Sequence, residues 1–369
     1  MAVVLHLGLV PILSGVQNVM LQILDAIEAD GYEIKVATAP NGELVEEVER
    51  RGWKHIPVPS LVREINPIKD WSAAHELAKI LKQEKVDILH THSSKTGLLG
   101  RIVGRMCKIP AIIHTVHGYP FHKYQNPLLY GSYQLVEWWA GHYCDYLVSV
   151  NKEDADIAKR ILRIPDHKVK YIPNGANPQK CRSILNSDEI VIGSLSRFWK
   201  QKNMINCVKL AIKACQYRAQ LKFIFVGDGE DLVRCQELVN SADLKDRIIL
   251  PGWSLEKEKW LNMFDVFLLY SLWEGLPLSI LEAMSYGLPI IASDIKGNRE
   301  LVDVSNGYLI SPQAESELLN LFLSLPNLRE ELMVKGQESY NKVVNNYSLD
   351  YFNDRYRALY KEIERDKGI

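Results

Sequence analysis

The sequence predicts an α/β protein with two parallel-sheet lobes in series. Short β-branched runs alternate with helical stretches of ten or more residues, which is the pattern of βαβ crossovers. Runs such as AIIHTV and DYLVSV are nearly continuous in apolar residues, as expected of strands covered on both faces. A chain of 369 residues is also long enough for two domains of ordinary size.

The first half of the chain repeats a strand, a turn and a helix from its first residues onward. Strands are predicted over 3–7, 33–38, 56–58, 86–90, 111–116 and 146–150. Helices are predicted over 15–29, 42–51, 68–83 and 96–106, and after Pro127. Because a helix separates most consecutive strands, the strands are expected to run parallel.

The second half starts the same pattern again. Strands are predicted over 190–195, 222–226, 248–250, 266–270 and 289–292. After Ser316 the pattern is helical, and it ends in an amphipathic segment over 349–365 that needs a surface to dock on. The Pro, Asn-Gly and Asn-Pro signals of IPNGANPQ, residues 172–179, predict the connecting loop. We therefore expect domains over 1–175 and 176–345, with a helix at about 346–369 packing back on the first.

Composition excludes several classes of protein. Lys plus Arg number 44 against 45 Asp plus Glu, so the basic field of a nucleic-acid binder is absent. Six cysteines are scattered without a CxxC pair, which predicts free thiols in the cytoplasm and neither disulfides nor a zinc site. The first 24 residues carry no charge, but they lack a basic leader and contain Pro11 and Gln17, which disfavours a signal peptide or membrane span. The cysteines are Cys107, Cys144, Cys181, Cys207, Cys215 and Cys235.

Open parallel sheets bind ligands beyond the carboxyl ends of their strands, so residues just after strands are the candidates. The stretch 271–294 closes a strand with Glu274, turns at GLP and begins a helix near Ser279, whose free N–H groups suit a phosphate or sugar oxygen. Glu282 lies one turn into that helix. It either accepts hydrogen bonds from a diol or merely favours the helix dipole, and Glu274 is either a ligand contact or a solvated loop acid.

A second candidate loop is SLSRFWKQKN, residues 194–203. Arg197 and Lys202 could hold a diphosphate without a metal; the alternatives are a solvated basic loop, or Lys200 in that role. VGDGEDL, residues 226–232, is half a glycine motif and equally a plain turn. The absence of GxGxxG and of GxxxxGK[ST] argues against NAD-type and P-loop chemistry.

All ten histidines lie at or before His167, and several end or follow strands. No cysteine or carboxylate stands at complementary spacing, so no metal site is predicted. His117 is a candidate polar contact to a sugar, whereas His114 is expected to be a core histidine with satisfied hydrogen bonds. The strand-end histidines are His90, His92, His114, His117 and His122. The acid pair Asp154 and Asp156 is predicted to lie on the surface of a helix.

Charge in the first lobe is uneven. From Arg63 to Lys123 there are ten Lys plus Arg and five Asp plus Glu, followed by an aromatic-rich stretch over 124–139. Basic residues beside exposed aromatics suit an anionic membrane surface. Alternatively, Tyr133, Trp138 and Trp139 are core residues of one helix.

Together these motifs resemble retaining glycosyltransferases of family 4, which have the GT-B fold of two Rossmann-like lobes. The resemblance rests on EGLPLSILEAM, SRFWKQK, VGDGEDL, IPNGAN and TVHGYPFH, which come in family order over nearly the whole chain. REINPIKD, HTHSSKTGLLGR and KGNREL resemble the bacterial branch that builds capsule and O-antigen, a part of lipopolysaccharide. This chain departs at Ser14-Gly15 and Lys296-Gly297, where many members have two glycines.

The resemblance implies a role for each matching residue. Arg197 and Lys202 would neutralise the donor diphosphate, Glu274 would contact the donor sugar and Glu282 the ribose, and His117 would lie near the reacting sugar. Further donor contacts would come from Gly15, Gly252, Trp253, Gly275, Leu276, Pro277 and Leu278. His92, Ser93 and Lys95 would bind the acceptor.

The implied reaction is metal-independent transfer with retention, without a cofactor. The donor would be a nucleotide-diphosphate sugar, with UDP as the expected nucleotide, and the acceptor a polyprenyl-diphosphate-linked saccharide. The chain would be peripheral on the cytoplasmic face of the inner membrane. A nucleotide-sugar 2-epimerase and a non-catalytic nucleotide-sugar-binding subunit are the alternatives, since fold alone does not separate them.

Overall fold

We describe the protein from a computed structural model, which covers residues 1–121, 125–179 and 188–369. The chain divides into two compact units, Met1–Asn174 with Asp350–Ile369, and Gly175–Leu349. The division falls inside the connecting loop predicted over 172–179. His122 and Cys181, which the sequence analysis names, lie outside the described residues.

The first unit contains a seven-stranded sheet in the order β3-β2-β1-β4-β5-β6-β7, with every neighbouring pair parallel. The three central strands β1, β4 and β5 are wholly buried. The mainly apolar sequences of β1 and β5 predict this, whereas β4 also buries the polar side chains of residues 90–92. The strands are β1 Val3–Leu7, β2 Glu33–Thr38, β3 Lys54–Pro57, β4 Ile88–His92, β5 Ala111–Val116, β6 Tyr146–Ser149 and β7 Val169–Tyr171.

The helices of the first unit start at local sequence signals. Asn66 caps α3 by accepting a hydrogen bond from the Lys69 amide, and Pro67 follows at the first helical position. Asn126 and Pro127 begin α5 in the same way. The helices are α1 Gly15–Glu28, α2 Glu43–Arg50, α3 Pro67–Gln83, α4 Ser94–Met106, α5 Pro127–Gly141 and α6 Lys152–Asp156, which continues as a π-helical turn over Ile157–Ile161.

The second unit contains a six-stranded parallel sheet in the order β10-β9-β8-β11-β12-β13. Its strands are β8 Ile190–Leu195, β9 Leu221–Val226, β10 Ile248–Gly252, β11 Val266–Leu269, β12 Ile290–Ser293 and β13 Gly307–Ile310. Its helices are α7 Met204–Tyr217, α8 Leu232–Ser241, α9 Lys257–Met263, α10 Leu278–Ser285, α11 Asn298–Leu301, α12 Glu315–Ser324 and α13 Arg329–Asn346.

The last helix, α14 Leu349–Lys367, packs on the first unit. One face of it, which includes Tyr356, Tyr360 and Ile363, is buried. Arg357 donates to the carbonyl oxygen of Ala26 at 2.6 Å. The amphipathic segment of the sequence therefore docks on the first unit.

The structure differs from the sequence predictions in detail. β7 and β13 were not predicted, since three or four residues carry too little periodicity. Predicted strand 86–90 lies at 88–92. The surface prediction for Asp154 is wrong: its side chain is buried, where Asn151 donates to its carboxylate at 2.8 Å and caps its amide at 2.7 Å. All the cysteines within the described ranges are free, as predicted.

The described helices include none that combines the length and the apolar character needed to cross a membrane.

Candidate active site

The second sheet has a topological switch point between β8 and β11. The chain leaves β8 for β9 on one side and later returns to β11 on the other. Loops that follow such a strand pair diverge and leave a crevice that binds ligands. The loop after β8 contains Arg197 and Lys202, and the loop after β11 contains Glu274. The topology thus places the strongest sequence candidates of this unit together.

Direct contacts join the two loops. Leu272 donates its amide to the carbonyl oxygen of Gln201 at 2.8 Å, and the Gln201 side chain donates to the carbonyl oxygen of Trp273 at 2.8 Å. The Lys202 ammonium lies 2.5 Å from a carboxylate oxygen of Glu274, which is 8% exposed. Two residues 72 positions apart, each predicted to contact the donor, therefore form an ion pair.

The Arg197 loop is held against the glycine turn that follows β9. A Cβ atom on Gly227 would lie 1.9 Å from the carbonyl oxygen of Ser196, and one on Gly229 would lie 2.6 Å from that of Phe198. Both glycines also have a φ of +148°. The lack of space and the positive φ each exclude a side chain at these positions. The Arg197 guanidinium lies 4.7 Å from the centre of the Trp199 ring. The glycine turn of VGDGEDL thus packs against the Arg197 loop.

The helix start after Glu274 is also built on close backbone packing. α10 begins at Leu278, one residue before the predicted start, and no side chain caps its N-terminus. A Cβ atom on Gly297, where φ is +81°, would lie 1.9 Å from the carbonyl oxygen of Gly275. The loop after β12 therefore fixes the approach to α10.

Two more donor candidates lie on the same unit. Glu282, in the second turn of α10, accepts from the Lys257 ammonium of α9 at 2.9 Å. Sequence reasoning missed Lys257, since nothing in its local pattern points to a partner 25 positions away. Gly252 ends β10 with a φ of +84°, and the next residue, Trp253, is 49% exposed. An exposed aromatic at a strand end can stack on a flat ring.

The first sheet has its own switch point, between β1 and β4. Gly15 begins α1 after β1 and is exposed, while His92 ends β4 and Ser93 precedes α4 with a φ of +63°. Lys95 differs from its predicted setting. Its ammonium donates to the carbonyl oxygens of Val62 at 2.8 Å and of Glu64 at 2.5 Å, and it pairs with Asp70 at 2.6 Å. In this structure Lys95 anchors the loop before α3, and its role toward an acceptor stays a prediction.

Four histidines of the first unit, His6, His90, His92 and His117, form one cluster. His117, after β5, is partly buried and its Nε2 lies 3.0 Å from Nδ1 of His92. Burial lowers the pKa of His117 to about 4, so its ring is neutral at pH 7. The His114 ring lies 2.9 Å from the Thr91 hydroxyl and is buried, which confirms it as a satisfied core histidine.

Three of these histidines meet the spacing of a metal site. The candidate ligand nitrogens of His6, His90 and His92 lie within 4.8 Å of one another. Their ring nitrogens, however, already have hydrogen-bond partners among protein groups. The expectation of no metal stays a prediction.

Comparisons with known proteins agree with this arrangement. Residues 13–180 match the family model "Glycosyltransferase Family 4", and residues 178–339 match "Glycosyl transferases group 1". The chain is 33% identical to UDP-Gal:alpha-D-GlcNAc-diphosphoundecaprenol alpha-1,3-galactosyltransferase of Escherichia coli, over 98% of this chain and 97% of that protein. It is 30% identical to the O-antigen biosynthesis glycosyltransferase WclY of Escherichia coli, over 62% of this chain and 67% of that protein.

Among solved structures, HepE of Anabaena in complex with UDP and glucose superposes with a TM-score of 0.82 at 15% identity, over 98% of this chain and 100% of that one. The two parallel-sheet units and these matches define a glycosyltransferase of the GT-B fold. The chain belongs to glycosyltransferase family 4, and its relatives include enzymes named for O-antigen biosynthesis.

Proposed function

We propose that the protein transfers a sugar, with retention and without a metal, from a UDP-sugar to a polyprenyl-diphosphate-linked saccharide. The observation that carries the proposal is the Lys202–Glu274 ion pair at the switch point of the second sheet, with Arg197 on the same loop as Lys202. Two cations beside a carboxylate suit a substrate that joins a diphosphate to a sugar.

The chemistry follows from the charge that develops on the leaving group. As the bond to the sugar breaks, the nucleotide diphosphate gains negative charge, which Arg197 and Lys202 would stabilise together with the uncapped amides at the start of α10. The Lys202 ammonium at 2.5 Å neutralises part of the charge on Glu274 and so lowers its nucleophilicity. This favours attack by the acceptor on the face that the diphosphate leaves, with a phosphate oxygen taking the acceptor proton.

The choice of donor and acceptor draws on the relatives. The Escherichia coli relative is named for UDP-Gal and for a GlcNAc-diphosphoundecaprenol acceptor, and HepE was solved with UDP. We extend the nucleotide and the lipid-diphosphate class to this chain. The particular sugar is left to experiment.

A lipid-linked acceptor requires access to a membrane surface, and the first unit offers exposed apolar side chains. Helices that connect parallel strands run back against them, so the N-termini of α3 and α5 lie at the carboxyl edge of the sheet, as His92 does. Trp138 and Trp139 are 40% and 43% exposed, which excludes a purely core role, whereas Tyr133 packs against the core. On α3, α5 and the loop before α3, the exposed apolar residues are Ile65, Ile68, Trp71, Leu128, Leu129, Leu135, Val136, Trp138 and Trp139.

We propose that the exposed apolar side chains near the N-termini of α3 and α5 rest on the cytoplasmic face of the inner membrane. The test is flotation with vesicles that contain anionic lipid. Leu128→Gln with Leu129→Gln should reduce binding, whereas Met106→Gln should not, because Met106 is also exposed but ends α4 at the opposite edge. Equal binding by both variants would contradict this orientation.

The function itself is tested by incubating the purified protein in EDTA with a panel of UDP- and GDP-sugars, with and without a polyprenyl-diphosphate-linked saccharide. Labelled lipid that depends on one UDP-sugar supports the proposal. Conversion of the donor to another nucleotide sugar without an acceptor would instead identify an epimerase.

A matched pair of lysines tests the proposed site. Lys202→Met should lower transfer by on the order of 10²-fold, as for a lost transition-state stabiliser. Lys200→Met removes an exposed lysine from the same turn and should leave transfer nearly unchanged. If both variants transfer at the wild-type rate, Lys202 has no role in stabilising the leaving group.

A further inference from the structure

A chain of hydrogen bonds, buried beyond its first, half-buried contact, leads from His117 to helix α14. From His117, Nε2 contacts Nδ1 of His92 at 3.0 Å, and Nε2 of His92 contacts Nδ1 of His6 at 2.9 Å. Nε2 of His6 then contacts the Tyr360 hydroxyl at 2.9 Å. We call this chain and its continuation below the histidine relay.

The relay continues past Tyr360 to a second tyrosine of the same helix. The Tyr360 hydroxyl contacts Nδ1 of His90 at 2.8 Å, and Nε2 of His90 contacts the Thr115 hydroxyl at 2.7 Å. The Thr115 hydroxyl lies 3.4 Å from that of Tyr356. The relay thus ends at Tyr356, four residues before Tyr360 on α14.

The number of hydrogens available on the relay groups allows only two hydrogen-bond arrangements. Burial lowers the pKa of all four relay histidines, so each ring is neutral, with one nitrogen donating and the other accepting. Each buried hydroxyl also donates its one hydrogen within the relay, because leaving that hydrogen without an acceptor costs about 1–3 kcal/mol. Once one contact has a direction, every other contact then follows it. Either every group donates toward His117 and all four histidines carry the proton on Nδ1, or every group donates away from it and all four carry it on Nε2.

The far end of the relay selects between these arrangements. Within the part of the chain that the structure describes, Thr115 is the hydrogen-bond partner of the buried Tyr356 hydroxyl. If Thr115 donated to Tyr356, the phenol hydrogen would be buried without an acceptor, which costs about 1–3 kcal/mol. Tyr356 therefore donates to Thr115, and the direction runs toward His117.

We propose that the histidine relay fixes His117 as its Nδ1–H tautomer, and that Tyr360 of α14 is a positioning residue for it. His117 then presents a hydrogen-bond donor, which suits an oxygen of the sugar or of the phosphate. Only this last step rests on the proposed function, because the tautomer is set within the protein.

A metal bound by His6, His90 and His92 is the competing explanation of the cluster. Two nitrogens that share a tetrahedral zinc lie about 3.3 Å apart. The facing nitrogens of His92 and His6 are 2.9 Å apart, the distance of a hydrogen bond. A metal would also break the contacts to Tyr360, so the relay accounts for more of the geometry.

The test is NMR of protein labelled with nitrogen-15 in its histidines, which distinguishes the two neutral tautomers without any substrate. In the wild type we expect His6, His90, His92 and His117 all in the Nδ1–H form. Nε2–H at His117, or different tautomers among the four rings, would overturn the proposal. One equivalent of zinc retained by the purified protein and lost in His6→Phe would also overturn it.

The Tyr360→Phe variant tests the positioning role. It removes the hydroxyl that hydrogen-bonds to both His6 and His90. His117 should therefore lose its exclusive Nδ1–H form. Tyr146→Phe is the control, because it removes another hydrogen bond to α14, to Asp366 at 2.6 Å, without touching the relay. His117 unchanged in Tyr360→Phe would refute the positioning role.

Activity then separates this inference from the proposed function. Tyr360→Phe should lower kcat for transfer about tenfold, as when a group that orients a functional histidine is lost, while Tyr146→Phe retains wild-type kcat. If the tautomer shifts in Tyr360→Phe but kcat does not, the relay stands and the placement of His117 near the reacting sugar is wrong.

Discussion

Mild acid should destabilise the first unit selectively. Four of its histidines are fully buried, and burial holds their pKa well below the ordinary 6.5. In the unfolded chain they titrate near 6.5. The unfolded state therefore binds more protons than the folded state below that pH, and the stability present at neutral pH is lost as the pH falls. The histidines are His6, His90, His92 and His114.

The size of the loss in unfolding free energy follows from the linkage between proton binding and folding. Between pH 7.5 and pH 5.5, a histidine that stays neutral when folded loses about 1.4 kcal/mol of stabilising free energy. Four such residues give about 5 kcal/mol, which equals the whole stability of some domains. The second unit provides an internal control, because all ten histidines lie at or before His167.

The assay is hydrogen exchange followed by mass spectrometry at the two pH values, corrected for the intrinsic exchange rate. Peptides from β1, β4 and β5 should lose protection equivalent to several kcal/mol at pH 5.5, whereas peptides from β8, β9 and β11 should change little. Equal losses in both sheets, or a loss below about 1 kcal/mol in the first, would refute the neutral state of the histidines.

Two further variants follow from the packing. Gly297→Ala places a Cβ atom 1.9 Å from the carbonyl oxygen of Gly275, so the loop before α10 must move. Calorimetry should show at least tenfold weaker UDP binding, with the first unit unaffected. Wild-type affinity would show that the loop does not contact the nucleotide. Arg101→Met leaves the carboxylate of Glu137 buried without its partner at 2.9 Å and should cost about 3–5 kcal/mol in urea unfolding. A cost under 1 kcal/mol would mean that Glu137 takes up a proton or reaches water.

Topology and the general position of the site could be predicted from the sequence for a physical reason. Strands covered on both faces have continuous apolar sequences, and the ends of parallel strands bring their loops to one edge. That is why Arg197, Lys202 and Glu274 could be assigned to one site without knowledge of their contacts. The edge strands β7 and β13 were not predicted from the sequence because they are short and only partly buried.

Local sequence patterns do not predict contacts between residues that are far apart in the sequence. Nothing near Lys202 indicates that its partner lies 72 positions away, and nothing near His117 indicates a relay that ends on α14. Tyr356 and Tyr360 on an amphipathic helix do signal buried hydroxyls that need partners. The partners themselves are set by tertiary packing.

The anomeric configuration of the product tests the central claim most directly. Common UDP-hexoses carry an α-linked sugar, so retention predicts an α linkage in the lipid product formed in EDTA, read from the coupling of the anomeric proton by NMR. A β-linked product would contradict retention, and with it the attack on the face that the diphosphate leaves.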